Sequence, residues 1–293
     1  MRPSDMASAA LVMTAMGVNF VIAKAAIEVF PPLWLMAMRY CAVAALALPF
    51  ARAPRGRMVE VWGISVTLGC LHFAFMFNGL KDLDAAAAAI AIQLQAPFAV
   101  ILAAIVLKDF IGWRRGLGMA LAFAGVVLMA GEPRFEGVLA PLGLVVFSGF
   151  LWAISNLQAK RLSEVDGVSL NAWVSAFAAP QVLLMSFFLE DGQLQSLTVA
   201  EPIHWAALAY MILAVSLFGY TVWYRLLRRY PVTWVTPFTL LPPVVGVASG
   251  AAFLGEELTW RMLAGGAITL IGVGVITLRR PELRAGPAGG SGQ

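Results

Sequence analysis

Residues 85–107 read AAAAAIAIQLQAPFAVILAAIVL, a run of 23 positions with no charged side chain and glutamine as its only polar type. A hydrocarbon core about 30 Å thick is crossed by roughly 20 such residues in a helix, so the stretch reads as a membrane span. Working outward, comparable apolar runs occur at 6–29, 33–53, 59–80, 113–131, 138–158, 170–189, 203–226, 232–254 and 259–279, ten candidate spans in all. The 293 residues are 61% hydrophobic and 12% charged, whereas a soluble domain carries about a quarter charged residues. The connections are short and punctuated by Pro31-Pro32, Pro54, Gly112, Pro133, Gly167, Pro202 and Pro231. They leave no stretch for a soluble catalytic domain. The predicted fold class is an all-α membrane protein of ten transmembrane helices.

Charge sets the expected orientation. With the N-terminus inside, the inner segments hold 15 Lys and Arg and the outer ones three, Lys81, Arg134 and Arg261. The acids divide six inside and ten outside. This asymmetry predicts that both termini are cytoplasmic. The net charge of +4 arises from basic residues in twos and threes between apolar runs. That is a topology signal, so no nucleic-acid partner is expected and membrane lipid is the surrounding medium. Trp34, Trp62, Trp113, Trp173, Trp205, Trp234 and Trp260 fall at or near span starts, where indoles favour the interface. Cys41 and Cys70 lie inside apolar runs and provide no disulfide framework. The first run is too long for the apolar region of a cleavable signal and reads as a retained helix.

The chain also repeats. Gly112-Trp113-Arg114-Arg115-Gly116-Leu117-Gly118 aligns with Thr259-Trp260-Arg261-Met262-Leu263-Ala264-Gly265, and at the same offset Gly125-Val126 falls on Gly272-Val273. Pro97 and Pro243 precede the two tryptophans at nearly equal distances, and Asn19 to Lys24 sets against Ser155 to Lys160. Helices 1–5 thus recur as 6–10. An odd number of helices forces the second copy to enter the membrane inverted, the arrangement of secondary transporters with a site near the midplane. The expected domains are residues 1–134, the inverted repeat 135–281, and a Gly-, Pro- and Ala-rich disordered tail at 282–293.

Gly17-Val18-Asn19-Phe20-Val21-Ile22-Ala23-Lys24, Pro31-Pro32-Leu33-Trp34 through Met38-Arg39-Tyr40, and Gln93-Leu94-Gln95-Ala96-Pro97-Phe98 resemble EamA-type members of the drug/metabolite transporter superfamily. So do Phe218-Gly219-Tyr220-Thr221-Val222-Trp223, Leu240-Leu241-Pro242-Pro243-Val244-Val245-Gly246 and Leu254-Gly255-Glu256-Glu257-Leu258-Thr259. The resemblance runs to about Thr277. It implies a 5+5 inverted-repeat exporter in a bacterial inner membrane, moving amino acids or related metabolites from a central cavity, with the aromatic or cysteine-like exporting branches the most similar. One departure stands out: Leu107-Lys108-Asp109 occupies the place matching Leu254-Gly255-Glu256.

Polar groups inside hydrocarbon must face protein or a water-filled cavity, which makes them the site candidates. Lys24 and His72 lead as partners for a substrate carboxylate, with snorkelling of Lys24 to the interface as its alternative, and gating, proton relay or a hydrogen-bonded core position as those of His72. Asn19, Asn78, Gln95 and Asn156 supply further polar contacts, and Phe20, Trp152, Tyr220 and Trp223 an aromatic lining. Arg39 reads as a structural pairing. Pro97, Pro237, Pro243 and Gly246 mark bendable, closely packed segments suited to gating. The rival reading is a proton-coupled multidrug exporter, which would want a carboxylate deep in the bundle, but every acid lies at a span end or in a loop. The sequence carries no H-E-x-x-H, G-x-S-x-G or P-loop motif. No enzyme activity, metal or cofactor is therefore expected, and two halves in one chain suit a functional monomer.

Overall fold

A computed structural model of the protein describes residues 1–107, 111–131, 137–162, 164–230 and 232–278. Ten apolar helices are long enough to span a membrane: α1 (Pro3–Ile27), α2 (Pro32–Phe50), α3 (Met58–Asp82), α4 (Ala85–Val106), α5 (Trp113–Ala130), α6 (Leu139–Lys160), α7 (Gly167–Leu189), α8 (Pro202–Trp223), α9 (Pro237–Leu254) and α10 (Trp260–Thr277). Among the described residues there is no strand. The expected tail 282–293 and the Lys108-Asp109 departure lie outside the described residues.

Local chemistry fixes where the helices begin. Pro3, Pro32 and Pro202 occupy first turns, where the missing N–H has no helical acceptor to lose. α7 starts at Asp166, whose carboxylate accepts the Ser169 N–H at 2.9 Å. Burial pushes this carboxyl up, but hydrogen bonds from the Ser169 side chain and from the Ser169 and Val168 N–H groups outweigh it and hold the group below its ordinary value. One short helix was not expected from the sequence. Gln193–Val199 lies between α7 and α8, entered through Gly192 at φ +80°.

The two halves share their irregularities. α3 changes to π-helix over Ser65–His72 and α8 over Met211–Gly219, while 3-10 turns occupy Ile92–Leu94 in α4 and Thr236–Leu240 at the start of α9. Both 3-10 turns lie beside prolines, Pro97 and Pro242-Pro243, which cannot donate to the preceding turn. α5 and α10 have equal extents, Trp113–Ala130 and Trp260–Thr277, offset by 147 positions. Lys24 and Lys160 are offset by only 136, and the segment holding the Gln193–Val199 helix takes up the difference. Packing follows the same symmetry. α2 lies on α7, α4 on α9 and α5 on α10, while α1 meets α8 and α9 as α6 meets α3 and α4.

The α5–α10 crossing shows why the sequence places glycines seven apart. A Cβ on Gly118 would come 2.8 Å from the Gly272 carbonyl oxygen, and one on Gly125 would strike the Gly265 carbonyl and the Thr269 hydroxyl. The glycine pairs 118/272 and 125/265 exchange under the repeat. The Thr269 hydroxyl donates to the Gly265 carbonyl at 2.8 Å, keeping the buried seam satisfied.

Gly125→Leu is expected to destabilise the fold by about 1–3 kcal/mol through overpacking, read as a lower melting midpoint by tryptophan fluorescence in detergent. Gly116→Ala on the same helix, where a Cβ meets nothing within 4 Å, should leave the midpoint unchanged or slightly higher. An unchanged midpoint for Gly125→Leu would mean that the crossing is loosely packed.

Candidate functional site

A cavity lies between α2, α3, α6, α7 and α8, its empty space about 640 Å³ with the open solvent at its mouth counted in. It therefore draws on both halves. Its depth is formed by Arg39, Tyr40, Phe73, Trp152 and Ser216, near the middles of their helices, and by Tyr220 one turn on from Ser216 in α8. Towards the mouth come Ile64 and Leu68 on α3, Asn156 and Ala159 on α6, and Leu170, Asn171 and Val174 on α7. Ala159 is next to the end of α6 and Leu170 three residues into α7. The cavity thus leads from the midplane to the face bearing Arg52, Arg55, Arg57 and Arg161, here called the basic face.

The two π segments border this space, that of α3 through Leu68 and that of α8 through Ser216, which supplies polarity at the inner end. A π turn shifts the hydrogen-bond register by one residue and frees groups that an α-helix would consume. In α8, the Ser216 hydroxyl donates to the Met211 carbonyl five residues back at 3.0 Å. Its oxygen accepts from Arg39 Nε at 2.9 Å, and the Ser216 carbonyl accepts from Asn171 Nδ2 at 3.1 Å. The Arg39 guanidinium also lies 5.4 Å from the Phe73 ring centroid. His72 sits behind the lining, 2% exposed, with Nδ1 at 2.8 Å from the Ser148 carbonyl. A carbonyl only accepts, so Nδ1 carries the proton. The His72 ring stands edge-on to Trp152 at 4.8 Å and holds that indole at the wall.

The face opposite, where the loops are acidic, is closed by three charged side chains acting on helix ends. Lys24 Nζ donates to the carbonyls of Leu80, Lys81 and Leu83 at 2.8, 2.9 and 2.9 Å, which occupies all three ammonium protons. Glu256 accepts from the N–H groups of Ala85 at 2.6 Å and Ala86 at 2.9 Å. Glu190 does the same for Leu33 at 2.7 Å and Trp34 at 3.0 Å. Each carboxylate at the end of a second-half helix thus caps a first-half helix, α4 or α2, where orphan N–H groups and the helix dipole favour an anion. Gly255, at φ +65°, turns the chain so that Glu256 reaches back across the face. Next to it the alanines of Ala85–Ala91 are wholly buried, and Gly246 lets α9 approach them: a Cβ there would lie 2.7 Å from the Ala89 Cβ.

The cavity brings together Trp152, Asn156 and Tyr220 of the residues singled out from sequence, and with them Arg39. Lys24 and Asn78 are elsewhere, Lys24 on the carbonyls just described and Asn78 exposed, its amide donating to the Ala74 carbonyl at 2.8 Å. Gln95 reaches Gln93 at 3.4 Å beside the α4 break. That break receives the α6 backbone, since a Cβ on Gly149 would lie 3.3 Å from Gln95 N. Asn19 and Phe20 lie on α1 outside the lining, Phe20 against the main core and Asn19 with a buried Oδ1 lacking a partner among the described residues. Trp223 packs with Val12, Met13 and Leu226 in a separate cluster. Pro97, Pro237 and Pro243 lie in or beside the 3-10 breaks. Sequence reasoning did not select Tyr40, Phe73, Ser155, Asn171 or Ser216. Asn171 carried a usable signal, an amide inside a span, whereas a lone serine in an apolar helix carries none. Among the described residues, no group of three His, Cys, Asp or Glu side chains gathers as a metal site.

Comparison with known proteins places this geometry. A solved structure superposes with a TM-score of 0.65 at 17% identity, covering 95% of this chain and 98% of that one, and shares the fold. A "Probable amino-acid metabolite efflux pump" of Salmonella typhimurium is 32% identical over 275 residues, 90% of this chain and 92% of the relative. A protein of the same description from Escherichia coli is 29% identical over 282 residues, 93% and 94% of the two chains. A "Probable terminal-alkyne amino-acid exporter" of Streptantibioticus cattleyicolor is 24% identical over 245 residues, 81% of each. The EamA-like transporter family matches twice, at residues 5–131 and 140–278, once for each half. A chain of ten apolar helices, matched over nearly its whole length, belongs to the EamA-like transporter family.

Proposed function

We propose that this multi-pass membrane protein is a secondary exporter of amino acids, neutral and aromatic ones among them, and of related metabolites across the bacterial inner membrane. The observation that carries the reading is the cavity. It reaches the midplane between two inverted halves, opens to the basic face, is closed at the acidic face, and has no carboxylate in its described lining. By the charge asymmetry of the loops the basic face is cytoplasmic, so both termini are cytoplasmic and the cavity is open to substrate from the cell interior. The relatives described as amino-acid or metabolite efflux pumps support the same substrate class. A multidrug exporter of organic cations is disfavoured by the lining, whose one charged member among the described residues is Arg39. Both walls come from one chain, so a monomer suffices.

Export then follows alternating access. The present arrangement is the inward-facing state, with Lys24, Glu256 and Glu190 closing the periplasmic side. To open outward, Glu256 releases the α4 N-terminus and Glu190 the α2 N-terminus. In the first half, the position matching Glu256 at the 147-residue offset is Asp109, which lies outside the described residues. At the α2 to α7 pair a cytoplasmic contact exists already, with Arg52 N donating to the Ser169 hydroxyl at 2.8 Å. Transport runs on existing gradients, since the sequence has no nucleotide-binding loop.

Proteoliposomes of the purified protein should take up labelled phenylalanine, leucine and cysteine, each competed by the others. Uptake of organic cations alone, driven by a proton gradient, would overturn the amino-acid reading. Lys24→Ala is expected to lower the melting midpoint and the turnover while leaving KM near wild type, because the ammonium is used on helix carbonyls. A KM raised tenfold with stability intact would instead put Lys24 in contact with substrate. Glu256→Ala removes two charge-assisted hydrogen bonds of about 1.5–3 kcal/mol each. Hydrogen exchange should then rise at residues 85–92 and at the end of α9, while the exposed neighbour variant Glu257→Ala behaves as wild type. Equal exchange in both variants would remove Glu256 from the gate.

A further inference from the structure

We propose that Arg39 is the anchor for the substrate's carboxylate, which makes the cavity select α-amino acids over the corresponding amines. The proposal rests on the exporter reading above and deepens it. Arg39 is 3% exposed, at the inner end of the cavity, on the middle of α2. Its Nε is used by Ser216, but Nη1 is buried with no hydrogen-bond partner among the described residues. The titratable groups facing the guanidinium are Tyr40 and Tyr220, and neither supplies a counter-charge at neutral pH. A guanidinium that serves only to hold helices together is ordinarily paired or spread over carbonyls, because burying an uncompensated cation is costly. The other intramembrane cation, Lys24, meets that rule with three carbonyls. Arg39 does not. Its remaining donors are satisfied when a carboxylate enters, and the planar fork suits both oxygens of that group.

The surroundings fix the fork before the substrate arrives. The Ser216 hydroxyl donates its hydrogen bond to the Met211 carbonyl, so its lone pairs are turned to Nε, and Asn171 ties α7 to the same π turn. Phe73 backs the guanidinium at 5.4 Å. A carboxylate held on the exposed edge places the α-carbon among Trp152, Tyr220 and the apolar residues of α3 and α7, and the ammonium near the amides of Asn156 and Asn171. The cavity then accepts a neutral or aromatic side chain against its aromatic wall and holds the carboxylate by charge.

The test uses the full-length protein in liposomes with labelled L-phenylalanine, competed by unlabelled L-phenylalanine, L-phenylalaninamide and phenethylamine. In the wild type the amino acid is expected to compete at least tenfold better than the amide or the amine, both of which lack the carboxylate. Arg39→Gln should raise the phenylalanine KM tenfold or more and erase that preference. Arg39→Lys, with the charge but not the fork, should restore part of it, and melting midpoints check that both variants fold. Equal competition by phenethylamine in the wild type, which needs no variant, would overturn the anchor, as would an unchanged KM in Arg39→Gln. Those results would leave amino-acid export standing. Failure of the wild type to carry any amino acid would instead sink the exporter reading and this proposal with it.

Discussion

Hydrocarbon supplies no hydrogen bonds, so every polar group that this chain carries into the membrane must be answered by protein or by a water-filled cavity. Most of the architecture follows from that constraint. Backbone groups are answered by the helices themselves, and Pro97 and Pro242-Pro243 sit beside 3-10 turns, the first of which receives another element where Gly149 packs against Gln95. Helix ends are answered by charged side chains from elsewhere in the chain, Glu256 on α4 and Glu190 on α2. Lys24 answers the carbonyl end of α3 in the same way. Of the buried side chains left incompletely answered among the described residues, the charged one is the Arg39 guanidinium, and it lies where the cavity ends.

The same contacts suit the alternating access proposed above. A bundle whose helices rearrange cannot be held by large interdigitating side chains throughout. Here the α5–α10 seam is locked by glycines against backbone, while the closure near Glu256 depends on small residues and a few charge-assisted hydrogen bonds. Alanine-to-glycine contacts such as Ala89 to Gly246 present smooth surfaces that separate without extracting a side chain from a pocket. The π segments in α3 and α8 serve another end. They loosen the register at the midplane and present Ser216 to Arg39.

Much of this was legible in order along the chain. The apolar run at 85–107 established the medium, the loop charges the orientation to expect, and the glycines around Trp113 and Trp260 the repeat. Trp62, Trp113, Trp205, Trp234 and Trp260 are exposed near helix starts as belt residues are, but Trp34 and Trp173 have buried indole nitrogens. The site was less legible. Lys24 and Arg39 are both cations inside spans, and the sequence alone favours Lys24 as the substrate partner and a structural pairing for Arg39. The folded chain assigns their partners otherwise, because Lys24 meets the end of α3 and Arg39 faces α8 across the bundle.

By itself, then, the sequence determined the ten spans, the inverted repeat and the close glycine crossing, since these depend on hydropathy, parity and backbone clearance along one helix at a time. Tertiary structure decided which polar side chains are consumed and which remain available. That outcome turns on distances between helices far apart in the chain: α1 to the α3–α4 turn for Lys24, α9 to α4 for Glu256, and α2 to α8 for Arg39. A polar residue in a span announces only that it needs a partner. The three-dimensional packing says whether it has already found one.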